Sequence, residues 1–199
     1  MGRIVVTEFV SLDGVMADPG GSEGTKHGGW TFEYDRGPEG DAFKADELAA
    51  ADALLLGRRT YQGFAAAWPG YGTEEPFAAR MNSIRKYVVS NTLTDEAADW
   101  TNTRVLRGDV FAELRRLRAE PGGDLLVAGS GQLVAGLMEN DLVDEYRLMV
   151  FPLVLGSGQR LFAEAENTAK LALTEVTTCG DGLLLLTYRP VGQNHNPNL

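Results

Sequence analysis

Two short segments of the chain carry residue types suited to holding an anion. Gly57-Arg58-Arg59-Thr60 comes directly after the aliphatic run Ala53 to Leu56, so a glycine, two guanidinium groups and a hydroxyl gather where a strand should pass into a helix. Arginine offers phosphate a planar fork of donors, and such a turn suits the 2′-phosphate that separates NADPH from NADH. The plainer reading is a pair of solvated arginines followed by a threonine helix cap. Gly129-Ser130-Gly131 repeats the arrangement between Asp124–Ala128 and Gln132–Met138. Glycine lets the backbone approach a ligand there, and the first N–H groups of the next helix favour a pyrophosphate. Glycine needed only for packing is the alternative. Neither segment is the G-x-G-x-x-G fingerprint or the G-x-x-x-x-G-K-[ST] phosphate loop.

The rest of the chain makes these arginines conspicuous. A formal net charge of −10 opposes nucleic-acid and anionic-membrane partners. Arg104 and Arg107 form a further local basic group. One cysteine (Cys179) and two histidines (His27, His195) leave no cysteine zinc set and make a metal site improbable, so none is assigned. No apolar run approaches the roughly 20 residues of a membrane helix, and MGRIVVTEFV lacks the signal-peptide pattern, so a cytoplasmic address is expected. The 199 residues, 44% hydrophobic and 23% charged, fit one large domain over 1–190 ahead of a polar tail, 191–199, expected to be disordered.

Strands and helices must place these turns. Arg3 to Ser11 reads as a buried strand ending at the turn signal Asp13-Gly14, and Asp18 to Gly40 as a long loop that Trp30, Phe32 and Tyr34 either pin to the body or use for stacking. Asp41 to Asp52 has helical propensity, with Asp41, Ala45, Leu48 and Asp52 on one stripe. Strands are expected at 53–56, 86–90, 105–106, 124–128 and 144–155. Helices are expected after Thr60 as far as Pro69, at 110–118 with Asp109 as cap, and at 132–138. Residues 171–177 and 183–189 form a hairpin around Gly180-Asp181-Gly182. This alternation predicts an α/β chain with three αβα layers: a mixed, mostly parallel sheet closed by an antiparallel C-terminal hairpin.

Taken together, the order of S-L-D-G (11–14), L-L-L-G-R-R-T-Y (54–61), K-Y-V-V-S-N-T-L (86–93), G-S-G-Q-L (129–133) and F-P-L-V-L-G-S-G (151–158) resembles the dihydrofolate-reductase-like proteins grouped with the C-terminal reductase domain of riboflavin biosynthesis. The resemblance covers roughly residues 3–189. It implies an NADPH-dependent reductase passing a hydride to a C=N or C=O bond of a small pterin-like or riboflavin-precursor-like substrate. It implies cofactor contacts at Gly57, Arg58, Arg59, Thr60, Ser90, Asn91, Arg107 with Gly108, and Gly129, Ser130, Gly131, Gln132 and Leu133. Backbone contacts to the nicotinamide carboxamide fall near Phe9, Met16 and Ala17. Apart from the resemblance, substrate contacts are expected at Asp13 and at Trp30 of the long loop. An ungapped count back from Gly57 puts Asp41 where the pterin enzymes carry a proton-donating carboxyl; its other reading is a helix cap. The zinc-deaminase pattern H-x-E with P-C-x-x-C, often coupled to this reductase, is absent. A homodimer is implied, with the run Leu183 to Leu186 either at its interface or in the core. The rival from another class is an NADPH-binding sensor or scaffold without turnover.

Overall fold

The computed structural model describes residues 2–72, 74–162 and 168–192. In chain order these form β1 (Ile4–Ser11), α1 (Gly37–Ala50), β2 (Ala51–Gly57), α2 (Arg58–Ala67), α3 (Pro76–Ser83), β3 (Arg85–Val89), β4 (Thr103–Leu106), α4 (Val110–Ala119), β5 (Asp124–Ala128), α5 (Gly131–Glu139), β6 (Glu145–Phe151), β7 (Leu171–Cys179) and β8 (Leu183–Pro190). The strands make one sheet in the order β4-β3-β2-β5-β1-β6-β8-β7. Pairing is parallel from β4 to β6, and β8 runs antiparallel to both β6 and β7. This is the mixed sheet with a terminal hairpin expected from the alternation of elements.

Side-chain alternation builds both cores. Ile4, Val6 and Val10 of β1 and Ala53 and Leu55 of β2 face α4 and α5, meeting Leu114, Leu117, Leu133, Val134 and Leu137. The intervening residues Val5, Leu54 and Leu56 face Leu48, Tyr61 and Met81 from α1, α2 and α3. A third cluster, around Phe151 and Trp30, covers β6 and β8. At the opposite end of the sheet from the two turns, Glu145 is only 3% exposed and pairs with Arg3, Arg147 and Arg189. Among the described residues no helix is long and apolar enough to cross a membrane.

Several boundaries differ from expectation for physical reasons. Helix α1 starts at Gly37 and buries Gly40, Glu47 and Leu48, with Phe43 packed beside them, so the true stripe lies off the expected Asp41–Ala45 line. Helix α3 was not foreseen, although Pro76 occupies its first turn and the Glu75 carboxylate accepts the N–H groups of Phe77 and Ala78. Strand β6 stops at Phe151 because Pro152 brings no donor. Leu183 and Leu185 are buried in β8, which has a strand on either side, so that run is core. The expectation of a disordered tail falls on residues 193–199, outside the described residues, apart from Gly192 and Val191, whose N–H reaches the Lys170 carbonyl.

Candidate functional site

Strands β2 and β5 are parallel neighbours, so the turns that follow them emerge side by side and are hydrogen-bonded to each other. Thr60 Oγ1 accepts the Ser130 N–H at 3.0 Å, and Ser130 Oγ accepts the Gly57 N–H at 2.9 Å while donating to the Ala128 carbonyl at 3.1 Å. Gly129 has φ +58°, and a Cβ there would sit 2.9 Å from Thr60 Oγ1 and Cγ2, so the close approach of the turns requires glycine. Ser130 occupies the N-cap position of α5, whose Leu133 and Val134 N–H groups return to the Ser130 carbonyl; Gly131 and Gln132 are the first two residues of the helix, where N–H groups have no partner within the helix itself. Arg58 and Arg59 open α2 on the same rim and are exposed, Arg58 touching Gln62 at 3.2 Å. The expected phosphate-suited groups are therefore brought together.

The sheet opens beside this rim. The pairing of β1 with β5 ends at Thr7 opposite Ala128, while β1 continues to Ser11 alongside β6 alone. From Glu8 onward the β5 side of β1 has no strand against it. Phe9 lies on this stretch, half-buried and edge-on to Phe151 at 5.7 Å. Met16 reaches the same opening from the following loop: its N–H donates to the Gln159 carbonyl at 2.8 Å, and a Cβ on Gly131 would come within 3.0 Å of its sulfur. The Ala17 carbonyl is taken by Trp30 Nε1 at 2.9 Å.

The adenosine-side group is partly committed to shaping its own loop. Ser90 Oγ accepts the N–H groups of Thr92 and Leu93 at 3.1 and 2.9 Å. Arg107 donates to the Leu93 carbonyl at 2.7 Å and to Asp95 at 2.9 Å. Asn91 is exposed beside them, and Gly108 turns the chain with φ +72°.

Three expected reaction-side residues have other duties. Asp41 is 65% exposed, paired with Arg36 at 2.7 Å, and lies inside α1, whose cap position is Arg36; it is neither a buried proton donor nor the helix cap. Asp13 spends its carboxylate on the Ser11 hydroxyl at 2.6 Å and on the N–H groups of Leu155 and Gly156 at 3.1 and 2.9 Å, clamping the 11–14 loop to the 151–158 loop. Those bonds, Ser11 foremost, hold it down at about 2, so its carboxylate clamps the two loops together. Trp30 is 2% exposed and edge-on to Phe151 at 5.1 Å, so it pins the long loop and offers no stacking face.

What the sequence reading missed lies on the two faces of β1, at Thr7 toward α1 and at Glu8 in the series that faces α4 and α5. Glu47 is 4% exposed, and its Oε1 takes the Thr7 hydroxyl at 2.8 Å and pairs with Lys44, which itself donates to Thr7 Oγ1 at 2.8 Å. Glu8 is 5% exposed, and burial holds its carboxyl well above the usual carboxylate range although Lys44 and the Gly129 backbone pull it down. The one available signal was a single glutamate inside the otherwise apolar strand Ile4–Ser11, hidden because charge is ordinarily read as exposure.

Comparisons with known proteins agree with this fold. The family model of the RibD C-terminal domain matches residues 3–185. Two uncharacterised Bacillus subtilis (strain 168) proteins are similar along nearly their whole length. YwjB is 32% identical over 92% of this chain and 95% of its own, and YyaP is 27% identical over 94% of each. Among solved structures, a Shewanella sp. PV-4 protein assigned to riboflavin biosynthesis superposes with TM-score 0.75 at 24% identity, covering 96% of this chain and 99% of that one. A pyrimidine reductase-like protein of Corynebacterium diphtheriae superposes with TM-score 0.61 at 14% identity, covering 96% and 92%. The Thermotoga maritima diaminohydroxyphosphoribosylaminopyrimidine deaminase/5-amino-6-(5-phosphoribosylamino)uracil reductase gives TM-score 0.63 at 16% identity, with 95% of this chain matched to 56% of that one.

Proposed function

The chain belongs to the RibD C-terminal domain family, and on that premise we propose that it is an NADPH-dependent reductase acting on a small heterocyclic substrate of the riboflavin-precursor kind. The observation that carries the reading is the pair of phosphate-suited turns, bonded to each other at the rim of the opening between β1 and β5. The donor set fits the cofactor. Backbone N–H groups at Gly131 and Gln132 suit a pyrophosphate, and Arg58 and Arg59, exposed in a chain of net charge −10, suit a 2′-phosphate. The unpartnered side of β1 near Phe9, with Met16 and Ala17, is the place for the nicotinamide carboxamide. When bound, NADPH supplies the hydride; the protein's part is to bind, orient and exclude water.

Asp41 is not placed to drive a pterin chemistry, since that carboxylate faces solvent. A riboflavin-type substrate calls for cations on the substrate side, and Arg36 and Lys44 both lie against the Phe9 ring, at 5.9 and 4.9 Å from its centroid. The homodimer expectation is carried forward onto β7, an edge strand exposed along most of its length, with Leu173 at 50% and Val176 at 54%. A cytoplasmic setting belongs to the same proposal.

Replacing Arg58 and Arg59 together by alanine tests the cofactor assignment. Each charge-assisted hydrogen bond is worth about 1.5–3 kcal/mol, so NADPH affinity should fall roughly 10- to 100-fold while NADH affinity barely moves. An unchanged preference would show the arginines to be ordinary surface. Oxidation of NADPH screened against dihydrofolate, other pterins and 5-amino-6-(5-phosphoribosylamino)uracil separates the reductase from a binding module without turnover.

A further inference from the structure

A buried polar group stands beside the proposed cofactor rim. Glu8 follows directly on the last β1 residue paired with β5, Lys44 and Glu47 of α1 act on it through space, and among the described residues Glu8 Oε1 and Glu47 Oε2 have no hydrogen-bond partner. Both residues are at least 95% buried, with exposures of 5% and 4%. A structural salt bridge would satisfy its oxygens; here one oxygen of each acid is left unpaired, and an unpaired buried acceptor is destabilising. Such a cost is sustained most readily where a ligand or a proton completes the group.

Counting charge decides between the two acids. The one ammonium here, Lys44, is in contact with Glu47 and shares the Thr7 hydroxyl with it. Glu8 lies further from that ammonium: its carboxyl meets the Gly129 backbone N–H, the first residue of the phosphate-suited turn, and feels Lys44 and Glu47 only through space. With both acids ionised the enclosed site would carry an uncompensated negative charge, which burial strongly disfavours. The charged groups acting on Glu8 are Lys44 and Glu47 of α1, and from the β5–α5 side it meets only the Gly129 backbone.

We propose that Glu8 holds the proton for the reduction, at the edge of the opening where cofactor and substrate would meet, with Lys44 and Glu47 as its charge-balancing positioning residues. The proposal rests on the reductase reading. With NADPH bound, the substrate carbon would gain a hydride from the reduced nicotinamide, the π pair of C=N or C=O would move onto nitrogen or oxygen, and that atom would take the proton from Glu8. A carboxylate is left near the Lys44 ammonium, and solvent restores its proton. The acid is thus on the first strand and not on the helix position that Asp41 occupies.

The test reads the proton directly. Infrared difference spectra of the full chain at neutral pH, comparing wild type with Glu8→Gln and with Glu47→Gln, should show a protonated-carboxyl C=O stretch that disappears in Glu8→Gln and survives in Glu47→Gln. No such band in wild type, or loss only in Glu47→Gln, overturns the proposal. Glutamine can still accept the Gly129 N–H, so NADPH should bind Glu8→Gln within about threefold of wild type while hydride transfer to the uracil riboside phosphate of the screen above slows by roughly 100-fold or more. The wild-type rate should fall as pH rises through the Glu8 titration, and that dependence should be absent in Glu8→Gln. Equal rates in the two proteins would overturn the role of Glu8. Failure of wild type to bind NADPH would instead overturn the cofactor reading and leave the infrared result standing.

Discussion

The bond between the two turns gives a quantitative prediction. Thr60→Val keeps the shape of the side chain but removes the oxygen that accepts the Ser130 N–H at 3.0 Å; Ser130→Ala removes the oxygen that accepts the Gly57 N–H at 2.9 Å. Each change strands a backbone donor in a half-buried turn. A fully buried orphan costs about 1–3 kcal/mol, so the half-buried setting places each variant near the lower part, about 1–2 kcal/mol. In a chain of this length that is roughly 2–8 °C of melting temperature. Because both bonds join the same two turns, losing one loosens the other, and the double variant should cost less than the sum by at least about 0.5 kcal/mol. Urea unfolding of the wild type, the two single variants and the double variant, with slopes checked for constancy, measures this cycle. Additive losses would refute the idea that the turns act as one cradle, and losses under about 0.5 kcal/mol each would refute the bonds themselves.

Two further outcomes concern the frame. Burial alone would raise the Glu145 carboxyl, but hydrogen bonds from Arg147 and Arg189 outweigh it and hold the group below its ordinary 4.5. A carboxyl lowered by folding contributes fully above pH 4.5, and its contribution is lost as pH falls through the folded value. Glu145→Gln should therefore cost roughly 3 kcal/mol at neutral pH, the low end for removing one partner because the arginine heads reach water, and should flatten the acid limb of the stability profile. An acid limb identical to wild type would contradict this. Gly180→Ala should destabilise by about 1–3 kcal/mol or prevent folding, since Gly180 has φ +48° and a Cβ would lie 1.9 Å from the Asp35 carbonyl oxygen. Thermal unfolding checks it, and an unchanged midpoint would mean the hairpin does not press on the entry to α1.

Much of the frame was legible because apolar runs with β-branched residues fall where the strands are, and the G-R-R-T and G-S-G turns follow two of them. Their adjacency was not legible: it depends on β5 inserting between β2 and β1, a non-local pairing that local pattern does not carry. An ungapped count from Gly57 leads to Asp41 with no regard to which way the helix faces, whereas α1 turns Phe43, Lys44 and Glu47 inward and leaves Asp41 exposed. Asp13 and Trp30 looked like ligand contacts because polar and aromatic residues in loops often are. Here one clamps two loops by accepting their N–H groups, and the other fills the core under its own loop. Glu8 and Glu47 escaped notice because a buried acid leaves no trace in hydrophobic periodicity.

The central claim is that the rim formed by Gly57 to Thr60 and Gly129 to Leu133 binds NADPH. Trp30, Trp68 and Trp100 provide an intrinsic signal, so titrating the protein with NADPH and with NADH while following tryptophan fluorescence tests it directly. The account predicts saturable quenching, with NADPH bound at least about tenfold more tightly than NADH and that margin removed in the Arg58→Ala, Arg59→Ala double variant. Absence of saturable binding by either dinucleotide, or equal affinities in the wild type, would contradict it.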